Sequence, residues 1–194
     1  MRDLQCPIRV LFVRHAEAEY ESALLADTGG SLTPVGREQA REVGERLYGE
    51  RVAVVVTSAM SRAVQTAELM AGVLDAHVLV REGLEEIGSG DFRGRPAEGE
   101  LFDATLNAWR AGDLEARVPG GESGQEAAAR VWTVLDPLAD RFRGETVVVV
   151  GHGGTMLAAL VSAGLQPDED FRIANGAVLA VEGDGDGWRI PDHS

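Results

Sequence analysis

The sequence predicts an α/β fold: a three-layer α/β/α sandwich with a mostly parallel central sheet. Two patterns and one number predict it. Short apolar, β-branched runs recur at 8–13, 52–56, 78–80, 147–150 and 177–181. Continuous runs of this length suit strands buried on both faces. Amphipathic segments of helical length lie between them, and such alternation implies a parallel sheet covered by helices. The length, 194 residues, fits one domain with a modest insertion.

The elements follow in order. Residues 34–48 carry Val35, Ala40, Val43 and Leu47 on one side and Arg37, Glu38, Arg41, Glu42 and Glu45 on the other. Thr33 can cap this helix, and Pro34 suits its first position. A second helix is expected over 59–74, with Ser58 as cap. Residues 88–121 break the rhythm. They are Gly-rich, contain Pro96 and Pro119, and hold one expected helix, 101–111. They read as a cap-like insertion over one end of the sheet within a single domain, 1–194. Helices follow at 126–142 and 155–163. The tail reads as a turn at 183–187, a short strand and a loose end.

Composition narrows the function. The formal net charge is −14, and all 18 basic residues are Arg. Without Lys there is no Lys Schiff base and no usual P-loop. Such negative charge argues against nonspecific binding to nucleic acid or anionic membrane. One Cys excludes an internal disulfide and a Cys-rich zinc site, and fits a reducing compartment. No run approaches the roughly 20 apolar residues of a membrane helix. The N-terminus lacks the order of a signal peptide. A cytoplasmic monomer or homodimer is expected.

Open α/β sheets bind ligands beyond the carboxyl ends of their strands. Arg14-His15-Ala16-Glu17 follows the first strand, and Thr57-Ser58-Ala59-Met60-Ser61-Arg62 the second. Glu85 and Glu86 follow the third, and Gly151-His152-Gly153-Gly154-Thr155 the fourth. Each piece alone is weak: a lone His after a strand is more often structural, and Gly-His-Gly-Gly can be just a tight turn. Their convergence on one sheet edge is what carries weight. Guanidinium groups match phosphate oxygens, and the N–H groups of Gly153 and Gly154 at a helix start would add anion donors. A neutral imidazole can attack phosphorus, and a carboxylic acid can protonate a leaving oxygen. The set reads as phosphoryl transfer without a metal or cofactor.

Leu11-Phe12-Val13-Arg14-His15-Ala16-Glu17 resembles the signature of the histidine phosphatase superfamily, which includes the cofactor-dependent phosphoglycerate mutases. Further segments resemble family motifs in order: 32–40, 57–67, 84–94, 119–123 and 150–154. The resemblance implies a phosphoglycerate mutase-like fold and His15 as nucleophile. It implies Arg14, Arg62, His152 and Gly153 as phosphoryl-binding residues, and Glu86 as proton donor. Glu85 would raise the proton affinity of Glu86 by like-charge repulsion. Three positions depart from the pattern. Ala16 stands where Gly is commoner, Glu21 where an Asn is common, and Phe92-Arg93-Gly94 where an aromatic and Glu precede the last Gly. A methyl at 16 is cheap where φ is negative and costly otherwise. A carboxylate at 21 weakens phosphate binding unless it turns away.

The expected activity is hydrolysis of a small phosphorylated metabolite. Alternatives are a phosphoglycerate mutase, a phosphohistidine protein phosphatase and an inactive phosphate-ligand binder. A mutase must hold a polyanion. Here the insertion carries Glu98, Glu100, Asp103, Asp113, Glu115 and Glu122 against Arg110 and Arg117, and the loop after His15 adds Glu17, Glu19, Glu21 and Asp27. Such a rim repels polyanions. Other features read as structural: Asp184-Gly185-Asp186-Gly187 as a turn, His77 at a strand start, His193 in the tail, Trp132 in the core, and Cys6 as inert.

Overall fold

The structure is a computed structural model that describes residues 6–97, 101–164, 173–184 and 187–191. Strand β1 (Ile8–Arg14) lies inside the central sheet and pairs in parallel with β6 (Thr146–Gly151). Beyond β6 come β4 (Val52–Thr57) and β5 (His77–Val80), both parallel. On the other side β7 (Val178–Asp184) runs antiparallel to β1, and β8 (Gly187–Arg189) pairs antiparallel with β7. The order β5-β4-β6-β1-β7-β8 puts the two strands that precede the histidine motifs side by side.

The two-residue period of β1 divides the core. Val10 and Phe12 pack with Val131, Leu135, Met156 and Leu160 on one face. Leu11 and Val13 pack with Val43, Leu47, Ala63 and Met70 on the other. Helices α1 (Pro34–Leu47) and α2 (Ser61–Leu74) therefore cover one side, and α4 (Gly124–Arg141) and α5 (Gly153–Ser162) the other. Each fully buried Val, Leu or Phe contributes roughly 1.5–3 kcal/mol, so both layers are held by strong, nondirectional packing.

Caps set the helix starts. Thr33 Oγ1 accepts from Gly36 N–H at 2.9 Å, and Pro34 occupies the first turn, as expected. Gly36 is obligatory for a different reason: a Cβ there would lie 1.9 Å from the carbonyl oxygen of Glu17. That close approach anchors the loop leaving the strand, whose hairpin is β2 (Ala18–Glu19) and β3 (Ser31–Leu32). Ser123 and Glu126 close a reciprocal capping box on α4, which starts two residues earlier than expected. Ser58 does not cap α2. The helix begins at Ser61 with Met60 as its uncapped boundary, and the Ser58 hydroxyl is turned to His152 instead.

The insertion packs through α3 (Asp103–Arg110). Trp109 is fully buried with Val118, Ala127 and Leu157, and its indole N–H donates to Ala116 O at 2.8 Å. Trp132 is only half-buried, packed on Trp188 with ring centroids 5.2 Å apart. Residues 185–186 of the expected tail turn, and His193, Glu98 and Glu100, lie outside the described residues. Among the described residues, no helix is long and apolar enough to cross a membrane.

Candidate active site

Backbone pairing builds the position of His15, the expected nucleophile. His15 N–H donates to Gly151 O at 3.0 Å, continuing the β1–β6 ladder one step past Arg14. Asn175 Nδ2 donates to His15 O at 2.8 Å, and Gly176 N–H donates to Arg14 O at 3.0 Å. Thr66 Oγ1 accepts from Ala16 N–H at 3.1 Å and donates to Arg62 O at 2.7 Å. Ala16 is buried, and the only non-glycine residues with positive φ among those described are Arg51 and Asp75. The methyl at 16 therefore carries no backbone strain.

These bonds leave His15 with one reactive nitrogen. Its Nδ1 lies 2.8 Å from Ala16 O, a contact that makes sense only as Nδ1–H donating. The Nε2 lone pair then accepts from Arg62 Nε at 3.2 Å. The ring is 5% exposed and 5.2 Å from the ring of His152. Burial chiefly, then the charges of Arg62 and Arg14, lower the pKa of His15 to about 4, against the opposing pull of Ala16 O and Glu86. The imidazole is thus neutral across the physiological range.

The other expected anion ligands gather around it. Arg62 is buried, its Nη1 donating to Gly29 O at 2.9 Å. Arg14 donates through Nη1 to Ile173 O at 2.5 Å, while its buried Nε has no hydrogen-bond partner among the described residues. Gly153 lies beside that guanidinium: an added Cβ would sit 3.6 Å from Arg14 Nε. His152 is fully buried, shares a hydrogen bond with Ser58 Oγ through Nε2 at 2.8 Å, and leaves Nδ1 unpartnered. Guanidinium and imidazole nitrogens buried without partners are unusual, and here Arg14 Nε and His152 Nδ1 fall at one strand edge.

Glu86 corrects two expectations. Gly154 N–H does not await an anion; it donates to Glu86 Oε2 at 3.2 Å, and Thr155 N–H donates to Glu86 Oε1 at 3.0 Å. The protein's own carboxylate occupies the start of α5, where the helix dipole favours it. Nor does Glu85 push Glu86 up. The Glu85 carboxylate is turned back to Gly83 N–H at 2.7 Å. Burial among protein atoms raises the proton affinity of Glu86, although the side chain keeps part of its solvent access. A proton on His152, when present, and the N–H groups of Ile87, Gly154 and Thr155 favour the carboxylate, outweigh burial and hold the carboxyl below its usual range. Burial chiefly, with the charges of Arg62 and Arg130, holds His152 well below the ordinary imidazole value against the opposing pull of Glu86. The pair rests as carboxylate and neutral imidazole.

The rim is less bare than its composition suggests. Glu21, exposed, accepts from Gly30 N–H at 3.2 Å and so lies on the turn whose Gly29 carbonyl meets Arg62. Its own and Gly30's N–H groups lower its pKa. Asp27 accepts from Ser89 N–H at 2.6 Å and pairs with Arg93. Leu24 bridges to Pro96, joining the 17–31 loop to residues 93–97. Glu122 is ion-paired with Arg130 at 2.8 Å. Two of the rim carboxylates counted as repulsive, Asp27 and Glu122, are therefore matched by cations. Asn175, Thr66, Thr155 and Arg130 were not singled out by sequence. Asn175 was findable, because it precedes the strand that pairs with the nucleophile's strand. The others are recognisable only once their partners are known.

The chain matches the histidine phosphatase superfamily (branch 1) over residues 10–194. It is 26% identical over 184 residues, 90% of this chain and 85% of the relative, to the "Probable phosphoglycerate mutase GpmB" of Photorhabdus laumondii. Among solved structures it is similar to a mycobacterial glucosyl-3-phosphoglycerate phosphatase, with TM-score 0.77, 25% identity and coverage of 94% of this chain and 96% of that one. It is also similar to YhfR of Bacillus stearothermophilus, with TM-score 0.77, 26% identity and coverage of 94% and 95%. The phosphoglycerate mutase of Bacillus anthracis, 17% identical with TM-score 0.79 over 97% of this chain and 93% of that one, shares the fold. With its motifs in order along one sheet edge and the family matched across nearly its whole length, the chain belongs to the histidine phosphatase superfamily.

Proposed function

We propose that this protein is a metal-independent phosphatase that hydrolyses small phosphomonoesters through a phosphohistidine on His15. The observation that carries the reading is the state of His15: neutral, with Nδ1–H tied to Ala16 O and the Nε2 lone pair facing Arg62. Substrate phosphate oxygens take over the Arg62 Nε–H and engage Arg14 and His152. Nε2 then attacks phosphorus and the P–O ester bond breaks. Glu86, which takes up a proton from solvent as the phosphate dianion beside it raises its proton affinity, delivers that proton to the leaving oxygen. In the second half, water attacks phosphorus, its proton passes to Glu86, and the N–P bond breaks to return neutral His15. The positive charge needed at the transferring group comes from Arg14 and Arg62. Glu17 and Glu19 on the exposed loop leaving the nucleophile favour singly phosphorylated, weakly charged substrates over the bisphosphates of a mutase.

The test is turnover of a chromogenic aryl phosphate in EDTA, with an alkaline quench and mass spectrometry of the peptide containing residue 15. Wild type is expected to turn over and to carry phosphate on that peptide. His15→Ala should remain folded, lose the label and lose several orders of magnitude in rate. Turnover abolished by EDTA, or near-normal turnover in His15→Ala, refutes the mechanism. Tight phosphate binding without turnover in wild type identifies a binder instead.

A further inference from the structure

We infer that Arg130 and Glu122 form a positioning clamp that locks the acid Glu86 in register with the nucleophile and thereby makes the insertion part of the chemistry. Arg130 lies on α4 and is not among the expected phosphoryl ligands. Three of its five guanidinium hydrogen bonds go to the surroundings of Glu86 and the other two to Glu122. Nη1 donates to Gly83 O at 2.9 Å and to Glu85 O at 2.7 Å, the carbonyls of the loop leading into the acid. Nη2 donates to Thr155 Oγ1 at 3.3 Å. Thr155 in turn donates to Glu85 O at 2.6 Å, and its hydroxyl lies 3.2 Å from Glu86 Oε1 while its N–H bonds the same oxygen. The guanidinium plane is fixed from behind by Glu122, which accepts from Nε at 3.0 Å and Nη2 at 2.8 Å.

Glu122 closes the insertion, in the Pro119–Ser123 segment that packs onto the acid loop. Asp91 N–H donates to Pro119 O at 2.7 Å, and a Cβ on Gly90, whose φ is +52°, would lie 2.2 Å from that same oxygen. The 119–123 segment and the acid loop thus meet twice, through backbone at Gly90 and through Arg130, which Glu122 holds by its fork. A fork of two parallel N–H bonds sets orientation as well as distance. Lys, a point charge with three donors, cannot hold the fork and both carbonyls together. A surface pair serving stability alone would have no reason to collect its remaining acceptors from the two segments that flank one carboxylate.

The clamp rests on the reading of Glu86 as the proton donor, and the experiment separates the two. An alkyl phosphate, whose leaving oxygen needs a proton, and nitrophenyl phosphate, whose leaving group does not, are compared for Glu86→Gln, Arg130→Met, Arg130→Lys and Glu122→Gln. General acid catalysis is worth about 10²- to 10⁴-fold, so displacing the acid in Arg130→Met is expected to cost about 10- to 100-fold on the alkyl ester and under about 3-fold on the aryl ester. Glu122→Gln should show the same selectivity at smaller size, and Arg130→Lys should recover part of it. Equal losses on both substrates, or none, in Arg130→Met while Glu86→Gln remains selective overturns the clamp and leaves the acid assignment standing. If Glu86→Gln is itself unselective, the acid reading falls and the clamp with it. Circular dichroism checks folding; should Arg130→Met not fold, the selectivity of Glu122→Gln decides in the same terms.

Discussion

The side of the site that holds the proposed nucleophile and the side that holds the proposed acid are built from different material. His15 and His152 are placed by the main chain: each follows the last residue of its strand, and the parallel β1–β6 ladder runs directly into them. Glu86 sits on a loop with no strand partner. It is placed by side chains and a helix start, through Gly154, Thr155 and, one step back, Arg130 and Glu122. A ladder tolerates loss of one side chain because its backbone bonds remain. A polar network does not, because removing one partner strands the others. The nucleophile should therefore be robust in position and absolute in chemistry, whereas the acid should be adjustable.

The largest break in that comparison is expected at the acid. Glu86→Gln should lower alkyl phosphate hydrolysis by about 10²- to 10⁴-fold and nitrophenyl phosphate hydrolysis far less. Glu85→Gln should change both little, because the Glu85 side chain serves Gly83 N–H, and it is the Glu85 carbonyl that the network uses. Steady-state rates on the two esters check this. A larger selective loss in Glu85→Gln would reverse the assignment.

The difference in legibility has the same origin. Apolar runs and the residues just past them fixed the strands and hence Arg14, His15, His152 and the sheet edge, since a strand's last residue dictates what comes next in space. The layered core was readable for the same reason: alternate residues such as Val10 and Leu11 must face opposite helix layers. What side chains do to one another was not readable. Gly154 looked like an anion donor, but Glu86 from a distant loop takes its N–H. Ser58 looked like a helix cap, but its hydroxyl serves His152. Glu122 looked like bare rim charge, but Arg130, eight residues on, neutralises it. Such pairings depend on tertiary placement that no local pattern encodes.

The pH response sharpens the contrast on the nucleophile's side. His15 has its pKa lowered to about 4 in the folded protein, from 6.5 when exposed. The unfolded chain thus binds more protons than the native one between these values, and stability falls as pH drops from about 6.5 toward 4. His152, shifted the same way, adds to the slope. Urea titrations at pH 7 and pH 5 should show the loss, in a window above the titration of ordinary carboxylates, and His15→Ala should reduce it. In wild type, kcat/KM should hold its acid limb near pH 4, falling about tenfold per unit below it. A limb near 6.5 that remains after correction for the substrate phosphate's own ionisation at about pH 6 would mean that His15 is not held neutral as its burial requires.

The smallest effect is expected where the sequence looked most anomalous. Glu21 stands where an amide is common, and its carboxylate raised the prospect of repulsion against substrate phosphate. It is instead exposed and spent on Gly30 N–H, at the turn whose preceding carbonyl, Gly29 O, meets Arg62. A charge in water is strongly screened, and a neutral amide can accept the same N–H bond. Glu21→Gln should therefore leave kcat unchanged and alter KM by no more than about twofold, consistent with screened surface charge. Glu21→Gly should do more, raising KM, because it removes the bond that sets the 29–30 turn and with it the carbonyl that orients Arg62. Steady-state kinetics of the two variants in low and moderate salt check the argument. A marked, salt-sensitive improvement in Glu21→Gln would show that the carboxylate does face the phosphate, and would move Glu21 from loop support to the substrate's own electrostatic environment.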